Sequence, residues 1–127
     1  MPVFYCPKCW KEFKDEIRNC PFCGFNLDEF DSLSYEDKLI TALSHPVADY
    51  RINAIKILGT LKSEKAVEKF EEMLDREDIL TILEIVDVLG KIKSKKAKKI
   101  LERLKKSRSK VVSERAENVL DEMNSID

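Results

Sequence analysis

A hydrophobic pattern recurs at a constant interval in the part of the chain after residue 34. The segment AIKILGTLKSEKA, residues 54–66, aligns with IVDVLGKIKSKKA, residues 85–97, so that their leucine–glycine pairs, serines and final alanines coincide. The first segment begins at residue 54 and the second at residue 85, and we call this separation along the chain the repeat interval. Weaker copies occupy residues 39–43 and 116–123, where Asp121 replaces the glycine. A repeat of this length indicates units that bury their apolar faces only by stacking on one another.

Each repeat is predicted to contain two helices, because its apolar residues follow the period of an amphipathic α-helix. The first helix ends near the leucine–glycine pair, where the glycine either permits close packing or ends the helix. Ser63 or Ser94 then caps the second helix, and Ser34 caps the first helix of the series. The predicted helices span residues 35–44, 46–61, 63–74, 78–92, 94–106 and 109–124. These patterns predict a mainly α fold, a short α-solenoid of about six helices.

The segment HPVADYRINAIKILGTLKSEKAV, residues 45–67, resembles HEAT repeats, and especially the short HEAT-like repeats of phycobilisome lyases. The matching residues are Pro46, Tyr50, Arg51, Ala54, Leu58 and Gly59. The second repeat departs from the family pattern, with Ile82 at the arginine position. The resemblance covers about residues 35–124. It implies an α-solenoid, a type of fold that serves many partners.

All four cysteines lie in CPKCWKEFKDEIRNCPFCG, residues 6–24. They form two C-x2-C pairs separated by a ten-residue segment: Cys6 with Cys9, and Cys20 with Cys23. Two such pairs supply the tetrahedron of sulfur that a structural zinc ion takes, with no open position for a catalytic water. Disulfides would require an oxidising compartment, and iron or cysteine redox chemistry are further alternatives.

The cysteine segment resembles the short zinc ribbons that begin many small prokaryotic proteins, with CPKC and CPFCG as the matching residues within 3–27. The resemblance implies a β-hairpin with two cysteine knuckles. So short a segment buries too little apolar surface to fold alone, and zinc binding supplies on the order of 10 kcal/mol of folding free energy. We therefore expect one structural Zn²⁺ held by the four cysteines.

Trp10 follows the first cysteine pair at the place where Gly24 follows the second. Its indole either covers the metal or is exposed to a partner. The whole chain is predicted to divide into a zinc ribbon (1–27), a linker (28–34) and helical repeats (35–127). The ribbon either packs on the first helix as a cap or acts as a second contact point.

Charge is strongly segregated although the net charge is only −1. Residues 64–87 contain nine acidic residues against three basic ones, whereas residues 91–111 contain eleven Lys or Arg against Glu102 alone. The candidate partner-binding residues are Lys95, Lys98, Lys99, Arg103, Lys105, Lys106 and Trp10. The alternative is that the basic helix is neutralised by the acidic residues one repeat earlier: Glu68, Glu71, Glu72 and Asp75.

Enzymatic function has little support in the residue types present. His45 is the single histidine, and its position before Pro46 suits a turn or helix cap. The sequence has neither a glycine-rich phosphate loop nor a nucleophile elbow, so we expect no small-molecule substrate. A bilin-type lyase, as the resemblance implies for some relatives, would need a deep polar pocket. Because no signal peptide or membrane span is visible, we expect a cytoplasmic protein without membrane contact.

The sequence thus predicts a non-enzymatic protein–protein interaction scaffold, stabilised by zinc, whose helical repeats bind a macromolecular partner. The alternative is a nucleic-acid-binding accessory protein that uses the ribbon and the basic helix 91–110. No aromatic residue lies between residues 71 and 127, so base stacking is not available there. Any nucleic-acid contact of the basic helix would therefore be with the phosphate backbone.

Overall fold

The computed structural model describes residues 4–14 and 17–125. Residues 1–3, 15 and 16 of the predicted ribbon and residues 126 and 127 of the predicted repeat unit lie outside the described residues. The elements are β1 (Phe4–Tyr5), β2 (Glu12–Phe13), α1 (Leu27–Asp31), α2 (Tyr35–Ala42), α3 (Ala48–Thr60), α4 (Val67–Met73), α5 (Ile79–Ile92), α6 (Lys95–Leu104) and α7 (Lys110–Ser125). The predicted mainly α fold is confirmed: six repeat helices follow a two-stranded hairpin.

The serine caps explain where two of the repeat helices begin. The Asp37 N–H donates to Ser34 Oγ at 3.1 Å, and the Ala97 N–H donates to Ser94 Oγ at 3.1 Å. Each side chain satisfies a backbone donor that the first helical turn leaves without an intrahelical partner. These two caps start α2 and α6 as the sequence predicts.

Helix α4 begins later than predicted, at Val67. Ser63 still accepts the Ala66 N–H at 3.3 Å, but the following residues form a tighter turn in which the Val67 N–H reaches the Glu64 carbonyl at 3.2 Å. Ser63 is buried, and its hydroxyl donates to Glu36 on α2 at 2.6 Å. The serine that was predicted only as a cap therefore also ties one repeat to the next.

The segment predicted as a linker, residues 28–34, contains most of the short helix α1. Asn26 caps it by accepting the Asp28 N–H at 2.9 Å. Five residues are too few to show a hydrophobic period, so the sequence pattern does not reveal this helix.

The first helices of the repeats, α3, α5 and α7, stack side by side, and the second helices, α2, α4 and α6, lie against them. One continuous core runs through the stack. Its largest fully buried side chains include Leu43, Ile55, Leu58, Phe70, Met73, Ile85, Leu89 and Leu101. Within the described residues, none of the helices is both long and apolar enough to cross a membrane.

The repeated glycines permit close approach of neighbouring helices rather than ending a helix. A Cβ placed on Gly59 would lie 2.8 Å from Cγ2 of Val88, and one placed on Gly90 would overlap Cγ1 of Val119. The two valines are separated by one repeat interval, as are the two glycines. Helices α3 and α5 continue past their glycines, so the same glycine–valine contact is used twice along the stack.

At the C-terminal ends of α3 and α5, shortly after these glycines, a lysine adopts a left-handed backbone conformation. Lys62 has φ 54° and Lys93, one repeat interval later, has φ 58°. At the end of α3, the Ser63 N–H donates to the Leu58 carbonyl and the Lys62 N–H to that of Gly59. This pattern is a Schellman motif, whose left-handed position usually carries glycine.

Replacing Lys62 or Lys93 by glycine is therefore expected to stabilise the protein by about 0.5–1 kcal/mol per site, because glycine adopts positive φ without steric cost. Urea unfolding of Lys62→Gly and Lys93→Gly measures the gain. The matched control is Lys62→Ala, which removes the same side chain but keeps the Cβ and should give no gain. Equal stabilities of the glycine and alanine variants would contradict the expected strain.

Candidate metal centre and adjoining surfaces

The hairpin presents the first cysteine pair on a tight turn. Strands β1 and β2 are antiparallel, with Phe4 opposite Phe13. In the turn between them, the Cys6 N–H donates to the Lys11 carbonyl at 3.1 Å and the Trp10 N–H donates to the Cys6 carbonyl at 2.8 Å. These hydrogen bonds fix the shape of the turn that carries Cys6 and Cys9.

The second pair repeats the same turn. The Cys20 N–H donates to the Phe25 carbonyl at 2.9 Å, and the Gly24 N–H donates to the Cys20 carbonyl at 3.0 Å. In each turn the backbone N–H two residues after the first cysteine points at its sulfur: Lys8 to Cys6 and Phe22 to Cys20, both at 3.4 Å. Equivalent backbone geometry thus supports both C-x2-C pairs.

The four Sγ atoms converge on one point, and all lie within 4.8 Å of one another. Sγ of Cys6 is 3.6 Å from that of Cys23, and Sγ of Cys9 is 3.7 Å from that of Cys20. A zinc–sulfur bond of about 2.3 Å implies tetrahedron edges of about 3.8 Å, close to these separations. The cluster fits a structural metal ion with four sulfur ligands.

Two thiols of this cluster, Cys20 and Cys23, have pKa values shifted in opposite directions. Burial acts to raise the pKa of Cys20, but the backbone N–H groups of Cys23 and Phe22 and hydrogen bonds with the Cys6 and Cys9 sulfurs together outweigh it and lower the pKa to about 6. The Phe25 N–H acts to lower the pKa of Cys23, but desolvation and the neighbouring sulfurs raise it to about 11. The lowered pKa favours the thiolate form of Cys20, whereas the raised pKa favours the protonated thiol of Cys23. A bound divalent cation would remove this conflict, because a coordinating thiol is deprotonated outright and the cation offsets part of the negative charge of the thiolates.

Trp10 and Gly24 occupy equivalent positions after the two cysteine pairs, and both have left-handed backbone, with φ 62° and 79°. For a residue with a Cβ this conformation costs about 1–2 kcal/mol. The indole of Trp10 contacts the imidazole of His45, with ring centroids 4.9 Å apart. Aromatic pairs contribute about 0.5–1.5 kcal/mol, which is comparable with the cost of this backbone conformation.

His45 lies at the junction between the cysteine segment and the helical repeats. Besides Trp10, its ring contacts Tyr5 at 4.9 Å and Tyr50 at 4.5 Å. Its Nδ1 accepts the Val47 N–H at 3.0 Å, which makes it a turn residue before α3. Two aromatic residues of the cysteine segment therefore enclose a buried histidine of the first repeat, so the segment packs on the solenoid as a cap.

Arg51 extends this junction to the next repeat. Its Nη1 donates to the His45 carbonyl at 2.8 Å, and its Nε lies 3.2 Å from Oε1 of Glu77, just before α5. Both charged side chains are largely buried, so solvent screens this ion pair less than the surface pairs. The cysteine segment, the first repeat and the start of the second repeat are thus joined in one chain of contacts.

Ion pairs between the second helices of successive repeats recur with the repeat interval. Lys65 on the turn before α4 pairs with Asp37 on α2 at 2.8 Å, and Lys96 on α6 pairs with Glu68 on α4 at 3.2 Å. Lys65 and Lys96 are separated by one repeat interval, as are their partners. A carboxylate on one second helix and an amine on or just before the next therefore recur at both steps between these helices.

A sequence profile of HEAT repeats matches residues 36–121, the region that forms these stacked helix pairs. The chain belongs to the HEAT-repeat family. Members of the family generally mediate protein–protein interaction and are typically non-catalytic scaffolds. Neither a curated protein nor a solved structure matches the chain significantly.

The predicted neutralisation of the basic HEAT helix is partial. Lys96 pairs with Glu68, and Arg103 lies 3.3 Å from Oε2 of Glu71. The other predicted partner-binding cations, namely Lys95, Lys98, Lys99, Lys105 and Lys106, are exposed. In the described part of the chain, these five lysines form no ion pair with a carboxylate.

The structure brings the four predicted cysteines together and gathers the predicted cations on α6 and the turn after it. It places Trp10 at the junction of the cysteine segment with the HEAT repeats, and a role for Trp10 in partner binding stays a prediction. Sequence reasoning missed Tyr5, Tyr50 and Glu77 as junction residues. Their contacts are long-range, and no local spacing signals them.

Acid should weaken the junction through His45. Burial, and then the positive charge of Arg51, hold the pKa of His45 below its usual value of about 6.5. The folded state therefore binds fewer protons at His45 than the unfolded state, so the contribution of His45 to stability is fully present above about pH 6.5 and is lost as the pH falls through the lowered pKa. The measurement is urea unfolding at about pH 7.5 and about pH 5.5.

The matched control for this pH dependence is His45→Asn, whose side-chain oxygen can still accept the Val47 N–H. Wild type should lose more stability between the two pH values than His45→Asn, because loss of cysteine ligands to protons affects both proteins alike. Equal losses in the two proteins would refute the role given to His45.

Proposed function

We propose that this HEAT-repeat protein is a non-enzymatic scaffold that binds a macromolecular partner, most simply a protein, and that one structural Zn²⁺ stabilises its N-terminal ribbon. The observation that carries the proposal is the open stack of HEAT helix pairs with a charged, exposed second-helix face. Stacked repeats offer an extended surface, which suits a macromolecule better than a small substrate.

Zinc is proposed for the cysteine cluster because of its donor set. Four sulfur atoms at tetrahedral separations suit Zn²⁺, and two of the four ligands, Cys6 and Cys20, are buried. With four protein ligands no coordination position remains for a substrate or a reactive water. Zinc would supply folding free energy to the ribbon and hold the Trp10 turn against His45. Four reduced thiols also fit a cytoplasmic setting, which is part of the proposal.

The cations of α6 are the proposed partner surface. Arg103 is engaged with Glu71, so the five unpaired lysines carry most of the free positive charge of this helix. The glutamates of α4 are each engaged by a cation, so the adjacent surface contributes little free charge. A partner with complementary charges would be selected by this arrangement.

A second candidate function is binding to the phosphate backbone of nucleic acid, favoured by the same unpaired lysines. The experiment that separates the two functions has two arms. Labelled DNA and RNA are titrated with the protein at low and at moderate salt. In parallel, partners captured from nuclease-treated native lysate are purified and recombined with the protein.

A scaffold predicts a protein partner that survives nuclease treatment and binds again as a purified pair, with no DNA or RNA binding even at low salt. Binding to DNA or RNA, together with loss of every protein partner after nuclease treatment, would instead support the second candidate and contradict the first. The lysate arm is repeated with Lys98→Glu/Lys105→Glu to test the proposed surface.

A further inference from the structure

The outward face of α6 carries amino groups that the fold leaves unused. On the edge of α6 next to α4, Lys96 and Arg103 are engaged by Glu68 and Glu71. The remaining lysines of this helix and its final turn are exposed and lack an ion pair within the described residues. The side chains on one edge of α6 thus form ion pairs within the protein, and the remaining lysines of its surface can bind a partner molecule.

Helical geometry arranges the free lysines in two rows, because successive residues are about 100° apart around the axis. The rows are Lys95 with Lys99, and Lys98 with Lys105 at the helix C-cap, while Lys106 lies in the turn that follows; we call them the lysine rows. Glu102 is exposed and lies between the two rows. The surface therefore presents positive charge on both sides of a single negative charge, which is a pattern and not a uniform patch.

We propose that the lysine rows bind an acidic helical segment of a partner protein, with carboxylates along one face and a neutral or basic residue opposite Glu102. The inference rests on the proposed scaffold function and names the chemistry of its partner. The fold already uses this type of contact, because Lys65 and Lys96 each pair with a carboxylate on the neighbouring helix. A docked acidic helix would repeat this carboxylate–amine contact on the outward face of α6.

A nucleic acid fits this surface less well. Glu102 would face a continuous line of phosphates and repel it, and the net charge of −1 gives no general attraction for a polyanion. The absence of aromatic residues from 71 to 127 also removes base stacking as a source of affinity. A partner surface with carboxylates around a neutral or basic residue complements both the lysine rows and Glu102, whereas a phosphate backbone complements only the lysine rows.

The test uses two synthetic helical peptides of identical composition. In the patterned peptide, glutamates lie three and four residues apart on one face with a central lysine, and in the scrambled peptide the same residues are spread around the helix. Binding to the full-length protein is measured by fluorescence anisotropy at moderate salt. A short DNA duplex is the third probe. We expect the patterned peptide to bind about fivefold or more tightly than the scrambled one, and more tightly than the duplex.

Two charge-reversed proteins locate the site. Lys98→Glu/Lys105→Glu should weaken binding of the patterned peptide about tenfold or more, because attraction becomes repulsion at two positions. The control, Lys14→Glu/Lys56→Glu, makes the same change in net charge at exposed lysines elsewhere and should alter the affinity by less than about twofold. A third variant, Glu102→Lys, should raise affinity for the duplex and reduce discrimination between the two peptides.

Equal binding of the two peptides, tighter binding of the duplex, or equal effects of the two double variants would each overturn the inference. Its failure is distinguishable from failure of the scaffold function. A purified native partner that binds Lys98→Glu/Lys105→Glu as well as wild type would refute the lysine rows and leave the scaffold intact. Absence of any protein partner would refute the scaffold itself.

Discussion

Chelating the proposed zinc ion in the intact protein is expected to unfold the N-terminal cysteine segment and to leave helices α2–α7 folded. The ribbon buries few side chains, whereas zinc binding to such segments contributes about 10–16 kcal/mol at neutral pH. The core of the repeats is continuous without the ribbon. Hydrogen exchange after chelator treatment should show lost protection at the cysteine turns, and protection retained in the amides of α3, α5 and α7.

The variant Cys20→Ser tests the same prediction without a chelator, because it removes a buried ligand and preserves side-chain size. The matched control is Ser44→Ala, an exposed change near the junction that touches no ligand. Chelation or Cys20→Ser should also free Trp10 from His45, so the tryptophan fluorescence should shift towards that of an exposed indole. Ribbon amides that stay protected without metal would contradict the proposed structural zinc.

Placing valine at Gly59 is expected to destabilise the repeats by about 3 kcal/mol. Even a single added Cβ would lie 2.8 Å and 3.0 Å from the two γ-carbons of Val88, and the valine methyl groups would deepen the overlap. Gly59 and Val88 are both buried in the contact between α3 and α5, so neither helix can yield locally. Urea unfolding monitored by circular dichroism gives the loss in free energy.

Two further variants isolate the steric cause. Thr60→Val introduces the same side chain at the next, exposed position and should change stability by less than about 0.5 kcal/mol. Adding Val88→Ala to Gly59→Val opens the facing space and should recover part of the loss, so that the two changes are non-additive. A Gly59→Val protein as stable as wild type would show that this close approach is not needed.

The helical repeats were predictable because their signal is periodic. Apolar spacing indicated the six repeat helices, and the constant repeat interval placed Gly59 and Gly90 in equivalent positions. The reason for the glycines needed the structure, since the sequence left close packing and helix termination as equal alternatives. Contacts with Val88 and Val119 decide between them. The cysteine spacing likewise predicted a cluster of four sulfurs, which the structure contains.

The junction of the ribbon with the repeats was beyond the sequence argument. Tyr5, His45 and Tyr50 are brought together by tertiary packing, and their separation along the chain carries no period. The sequence also could not decide whether acidic residues neutralise the basic helix, because an ion pair depends on side-chain distance as well as on charge. Lys96 reaches Glu68 but Lys99, one helical turn on, lies outside this contact and is exposed.

The proposed structural zinc is tested most directly by the metal content of protein purified without added metal, measured by elemental analysis together with native mass spectrometry. We expect about one zinc ion per chain and no thiol that reacts with a thiol reagent until the metal is chelated, after which four react. A folded, metal-free chain whose thiols of Cys6, Cys9, Cys20 and Cys23 all react at once would contradict this expectation.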